Sequence, residues 1–456
     1  MKLFHSKLKG IALFFPLFIF VLALSPHATA FSTGQAAVLA IGESSLTSFN
    51  PRATSTGLVS PIAEAFDSTG NLWVVDQGAN RVLEYPAPLS AGEAATLVIG
   101  QMGFTGRDSA TNSTGLNAPQ GLAFDSGGNL WVVDTSNNRV LEYPTPIFTG
   151  EAATVVIGQA NFTGNGPATT PTGLNQPESI AFDSGGNLWV ADALNDRVVE
   201  YPRPLSTGEA ATLVIGASNF TTQNDEVSRT GLSTPSGLAF DSSGNLWVAD
   251  GVRVLEYAPP FSSGGEASLV IGQSSFTDSS TYTTSAGLNL PYALAFDSSH
   301  NLWVADYGNN RVLEYAPPFS DHQAATIVIG QTDFTSSETT PVFSPTSAGL
   351  NHPWGLAFDH SGNLWVADYA EGRVLQYAGP STTVATSATS ASESTSAPTS
   401  PATGSPGTTT SVNPTTGGGG VPELPYQPIM AVVFTVLLAV SYSLVRNRTP
   451  GRGRRS

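Results

Sequence analysis

Eight side chains depart from an otherwise regular pattern in this sequence and carry groups suited to holding a ligand: Gln120, Glu178, Tyr282, Tyr292, Tyr307, His352, Trp354 and Tyr369. Flat rings offer stacking surfaces, and a few amides and carboxylates fix orientation, which is how sugars and other amphipathic ligands are held. Covalent catalysis needs a nucleophile beside a base, and His352 with Glu178 is the one pair here that could supply such a base. Metal chemistry finds little to work with. A zinc site wants several imidazoles or thiolates, yet the chain has six histidines and no cysteine, and His352 alone falls with the aromatic residues. Calcium takes six to eight oxygens, more than Glu178 and Gln120 provide.

These residues stand out because most of the chain is a repeat. Trp73, Trp131, Trp189, Trp247, Trp303 and Trp365 each lie in a version of A-F-D-S-x-G-N-L-W-V-A-D, followed by x-R-V-L-E-Y. A trailing segment, A-A-T-x-V-I-G, ends the first five copies at Gly100, Gly158, Gly216, Gly272 and Gly330. The sixth copy lacks it, and its counterpart stands at the other end of the chain as Ala36–Gly42. Repeats of this length mean a solenoid, a propeller or an array, and the displaced segment selects a ring that closes on itself.

Each copy parses into four short β-branched or aromatic runs bounded by Gly, Pro, Asn and Ser, the signature of strands. The fold class is therefore all-β: a six-bladed propeller closed by an N-terminal strand. Residues found in every copy are structural. The six tryptophans pack between blades, Arg81 and its equivalents pair with Asp76 and its equivalents or with an adjoining blade, and Asp67 and its equivalents cap their own turns. The residue after the Pro that opens the inner strand varies instead: Ile62, Gln120, Glu178, Ser236, Tyr292, Trp354. Tyr307 and Tyr369 follow L-W-V-A-D in blades five and six, on the same face of the ring. An aromatic arc on blades five and six thus faces Gln120 and Glu178 on blades two and three, with Tyr282 and His352 in the loops leading to it.

The block Pro119-Gln120-Gly121-Leu122-Ala123-Phe124-Asp125, then Gly128-Asn129-Leu130-Trp131-Val132-Val133-Asp134 and Asn138-Arg139-Val140, resembles the NHL repeat, and the match recurs through residues 31–379. The resemblance implies a six-bladed propeller, in agreement with the strand count. It leaves activity open, because such propellers include RNA-binding modules, a zinc-dependent amidating lyase and extracellular interaction modules, and related ones include calcium lactonases.

The ends of the chain give an address. Residues 1–30 read as a secretory signal peptide, with Lys2, Lys7 and Lys9 before an apolar run. Residues 380–427 form a Ser/Thr/Pro/Gly-rich stalk expected to be disordered. An apolar span at 428–446 is expected to be a transmembrane helix, and 447–456 a basic cytoplasmic tail. Val421-Pro422-Glu423-Leu424-Pro425 ahead of that span also resembles an exosortase or archaeosortase sorting signal, which implies cleavage and a lipid anchor. Between Phe31 and Val445 stand ten arginines against thirty-five acidic residues, a surface that repels phosphate backbones and excludes nucleic acid as a partner. Sequons at Asn112, Asn161 and Asn219 suit glycosylation of an outer surface. The expectation is a monomeric cell-surface propeller that recognises an extracellular glycan or protein and needs no cofactor. The alternative is an extracellular lyase or hydrolase using calcium or zinc in the channel.

Overall fold

A computed structural model describes residues 30–339 and 344–380. The signal peptide apart from its last residue, the stalk beyond Pro380, the apolar span and the basic tail lie outside the described residues. Within them, twenty-four strands form six antiparallel sheets of four. In the first five blades, strand order across the sheet follows the chain from the inside outward, as in Pro61–Phe66, Leu72–Asp76, Arg81–Tyr85 and Leu97–Ile99. The sixth blade takes its outer strand from the N-terminus. Leu39–Ile41 pairs with Arg373–Tyr377 in the register Leu39↔Gln376, Ala40↔Leu375, Ile41↔Val374.

The closure extends beyond that strand. Phe31 meets the Trp303 ring edge-on at 4.8 Å, as Phe319 meets Trp247 and Phe261 meets Trp189 from the connections before the outer strands of blades five and four. Residues 31–41 thus replace both the missing connection and the missing strand of blade six. The first and sixth inner strands, Pro61–Phe66 and Pro353–Phe358, lie side by side and complete the ring.

The repeated residues make two recurrent units. In the first, the Asp of A-F-D accepts backbone N–H bonds from its own turn, as Asp67 Oδ1 does from Thr69 and Asn71. Its other oxygen takes the indole N–H of the Trp in the next strand at 3.0–3.2 Å in all six blades. The Phe beside each Asp then meets the Trp of the preceding blade edge-on, with centroids 5.7–5.9 Å apart, including Phe66 on Trp365 across the closure. One short motif shapes a turn and fastens two blades together. With neighbours on both sides, the Leu-Trp-Val-Ala/Val-Asp strands are buried at every position.

The second unit is a clamp. The Asp closing each second strand and the Arg opening the third are buried and paired at 2.7–2.8 Å. The remaining groups of both residues hold two loops, the one that leads to the inner strand and the one that follows the outer strand. Arg311 donates from Nη2 to the Gly287 carbonyl and from Nη1 to the Phe334 carbonyl, while Asp306 Oδ1 accepts the Asn289 N–H. Removing one partner of such a pair leaves an uncompensated buried charge, at a cost of about 3–5 kcal/mol. Asp306→Ala should therefore lower unfolding free energy by about that much in urea denaturation, whereas Asp306→Leu combined with Arg311→Met should cost less than either change alone. A loss below about 1 kcal/mol for Asp306→Ala would show that the pair is not a clamp.

Candidate functional site

Inner strands bring one residue per blade to the top of a central channel, and the clamps determine where the preceding loop delivers it. In four blades the residue before the Pro is tightly constrained. Ala118, Gln176, Thr234 and His352 have positive φ values of 47°, 47°, 60° and 59°, a region disfavoured for L-residues and especially before proline. A side chain of the preceding blade holds each in place by accepting its N–H: Asn80, Asn138, Asp196 and Asn310 at 2.7–3.0 Å. The rim is uneven at blade four. Asp250 and Arg253 are separated there by Gly251 and Val252 alone, and the short 3₁₀ turn that follows the second strand elsewhere is missing.

The channel encloses a cavity of about 130 Å³ lined by Gln120, Glu178, Tyr292 and Trp354 together with Glu64 and a belt of aliphatic residues. Tyr292 and Trp354 stack at 4.2 Å with 23° between planes. Tyr307 meets both edge-on, at 4.9 and 5.2 Å, and Tyr369 lies tilted against Trp354 at 5.3 Å. His352 packs on Tyr307 at 4.7 Å, and its Nδ1 is 2.7 Å from Asn351 Oδ1. Five of the six aromatic or imidazole residues singled out from the sequence thus form one connected group. Tyr282 is not part of it. Its ring is exposed in the loop, and its hydroxyl donates to Asp278. The rings were expected to present open stacking faces, but they largely cover one another: Trp354 is only 7% exposed. They form a wall rather than a platform.

The polar side differs from expectation in one instructive way. Glu64 lines the cavity, is buried, and makes no close hydrogen bond through either carboxylate oxygen, with the Ala367 backbone drawn to it. It occupies the position that is Leu122, Ile180, Leu238, Leu294 and Leu356 in the other blades. The signal was therefore present, two residues beyond the variable position after Pro. Its carboxylate lies over Gly355, where a Cβ would come within 2.3 Å of Oε2. Glu178 Oε2 and Gln120 Oε1 are likewise covered and unpartnered. Ser236 at the equivalent position is satisfied elsewhere, donating to the Pro291 carbonyl at 2.9 Å. Burial pushes the Glu64 carboxyl well above the usual range, opposed in part by the Ala367 backbone. The same cause raises Glu178 to about 8. Glu178 in turn raises the Tyr292 hydroxyl, after burial itself. Burial lowers His352.

The sequon residues Asn112, Asn161 and Asn219 are exposed. Each accepts through Oδ1 from the Thr two residues on, and Asp333 makes the same turn in its own loop. Among the described residues no three of His, Cys, Asp and Glu come together as a metal site, and no helix is long and apolar enough to cross a membrane.

Fold and channel together define a six-bladed propeller with a ligand-sized cavity on its axis. The NHL repeat model matches residues 116–143 and 350–377, in the second and sixth blades. Human NHL repeat-containing protein 3 is 25% identical over 257 residues, which cover 54% of this chain and 63% of that protein. The chain thus spans somewhat under two thirds of that relative's length. Among solved structures, virginiamycin B lyase from Staphylococcus aureus matches at 14% identity and TM-score 0.38, over 72% of this chain and 96% of its own. A gluconolactonase from Xanthomonas campestris matches at 14% and 0.43, over 75% and 98%. A Bacteroides thetaiotaomicron protein of unknown function matches at 16% and 0.47, over 77% and 75%. Values this low carry nothing about activity.

A pH test follows from Glu178. Its folded value of about 8 exceeds the ordinary 4.5, so the folded protein binds that proton more tightly than the unfolded chain. The stability this group contributes is full below 4.5 and is lost as pH rises through about 8. Asp192, Asp250 and Asp368, pushed by burial to about 6 against the pull of their arginines, have already ionised by neutral pH. Thermal melts between about pH 7 and 9 should therefore show a fall in Tm that Glu178→Gln reduces. Equal slopes in the two proteins would mean that Glu178 is not held neutral.

Proposed function

We propose that this protein is an exported, surface-held recognition or adhesion module that binds an extracellular glycan or protein ligand through the mouth of its channel. One observation carries the reading. Gln120 and Glu178 leave buried oxygens without partners in a cavity walled on the other side by Tyr292 and Trp354. Buried polar groups are almost always paired, and leaving one unpaired costs about 1–3 kcal/mol. A ligand donating hydrogen bonds to these oxygens while covering the aromatic wall would remove that cost. The acidic surface, the exposed sequons and the apolar span after the Ser/Thr/Pro-rich stalk support an outward-facing location, either as a single-pass anchor or lipid-held after cleavage.

An extracellular metal-dependent lyase or hydrolase using the same mouth is the second reading, and Glu178 is the observation that favours it. A carboxyl that keeps its proton near neutral pH is what a general acid requires. Metal analysis of the purified protein separates the two, since stoichiometric zinc or calcium would favour the enzyme.

Binding of full-length protein to an array of glycans and surface proteins tests the module reading. Hits should weaken by roughly ten-fold or more in both Trp354→Ala and Gln120→Ala. Hits unaffected by either change would place the binding surface away from the mouth.

A further inference from the structure

Variation among the mouth residues is matched by variation in the strands that carry them. In blades one to four, the residue two after the Pro pairs with the second strand, as Ala63↔Val75, Gly121↔Val133, Ser179↔Ala191 and Gly237↔Ala249. In blades five and six that pair is lost. Pairing resumes one residue later, at Leu294↔Val304 and Leu356↔Val366, so Ala305 and Ala367 have no inner-strand partner in the ladder. These two blades carry Tyr292 and Trp354. Bulges re-aim side chains and recur beside functional sites, and here the longer bulge accompanies the aromatic ring.

The opening in blade six is occupied from the next blade. A Cβ at Gly355 would come within 2.8 Å of the Ile62 carbonyl and 2.3 Å of Glu64 Oε2, so blade one presses into the bulge beside Trp354. The Ala367 backbone, left unpaired by that bulge, is the group drawn to the Glu64 carboxyl. The same close approach recurs at Gly121 and Gly237, against the Glu178 and Tyr292 carbonyls, with Ile180 and Leu294 at the position of Glu64. Packing two inner strands together therefore requires no carboxyl. What Glu64 adds is an oxygen that can accept an N–H, which a branched alkyl group cannot.

Resting on the binding-module reading, we propose that Glu64 is a positioning residue of the mouth: reaching across from blade one, its carboxyl holds the blade-six bulge and so fixes the Trp354 ring on the channel wall. Trp354 is the centre of the aromatic group, stacked on Tyr292 and in edge or tilted contact with Tyr307 and Tyr369. A shift of its backbone therefore disturbs the whole wall. The contact also crosses the joint between blades six and one, which ties the shape of the mouth to the closure of the ring. A buried acceptor without a close partner lowers stability. A residue kept at that cost, where five blades use Leu or Ile, serves the site rather than the scaffold.

Fluorine NMR of full-length protein labelled with 5-fluorotryptophan tests this, the Trp354 signal being identified by its loss in Trp354→Phe. Glu64→Leu, which installs the residue of the other blades, should leave the unfolding midpoint at or above that of the wild type. It should shift or broaden the Trp354 signal while the six repeat tryptophans keep theirs. Glu64→Gln retains an accepting oxygen and should restore the Trp354 signal. Binding to the hits of the glycan and protein array should fall roughly ten-fold in Glu64→Leu and recover in Glu64→Gln. An unmoved Trp354 signal in Glu64→Leu overturns the proposal, as does equal disturbance in Glu64→Gln. Loss of all seven signals in Glu64→Leu would make Glu64 part of the scaffold and overturns it too. If the wild type binds nothing on the array, the module reading falls, while the fluorine signals still decide whether Glu64 positions Trp354.

Discussion

The whole arrangement depends on one closure: a strand of three residues, Leu39–Ile41, hydrogen-bonded to Arg373–Tyr377. Residues separated by some three hundred positions meet on the channel wall only if the ring is shut. With no cysteine in the chain, noncovalent contacts must shut it. Phe31 strengthens the closure by taking the place on Trp303 that a connection residue takes in other blades. Each remaining joint is made by the same Phe-on-Trp contact, so the closure between blades six and one is chemically like the other five.

Within the ring, the clamps turn a repeated sequence into an accurate one. The buried Asp–Arg pair of each blade ties down the loop that leads to its inner strand, and in most blades the Asn or Asp just before the Arg sets the backbone of the next blade's mouth residue. Four of the blades therefore help position a neighbour's contribution to the channel. Sixfold sameness in the scaffold is what lets six different residues face one another on the axis, and those differences are where ligand chemistry can reside.

Much of this was legible in the sequence. The blade count, the displaced strand, the Asp–Arg pairing and the turn role of Asp67 and its equivalents follow from residues recurring at fixed spacing. So did the gathering of Tyr292, Tyr307, His352, Trp354 and Tyr369, since equivalent positions in adjacent blades must be neighbours. Three features were not read. Glu64 escaped notice because variation was followed at the residue after Pro and not two positions further in. Tyr282 was grouped with the arc because its loop leads there, yet a loop's destination does not fix the direction of a side chain within it. The packing of the rings onto one another depends on the inclination of blade five against blade six, which no spacing encodes.

The central claim is that the unpaired Glu178 and Gln120 oxygens of the channel mark a place for a ligand and are not merely a tolerated flaw of the scaffold. A crystal structure of the full-length protein grown with the strongest ligand from the binding array tests it most directly. The account predicts ordered ligand density within hydrogen-bonding distance of Glu178 and Gln120 and alongside Tyr292 and Trp354. A channel holding water alone, with the ligand bound elsewhere, would contradict it.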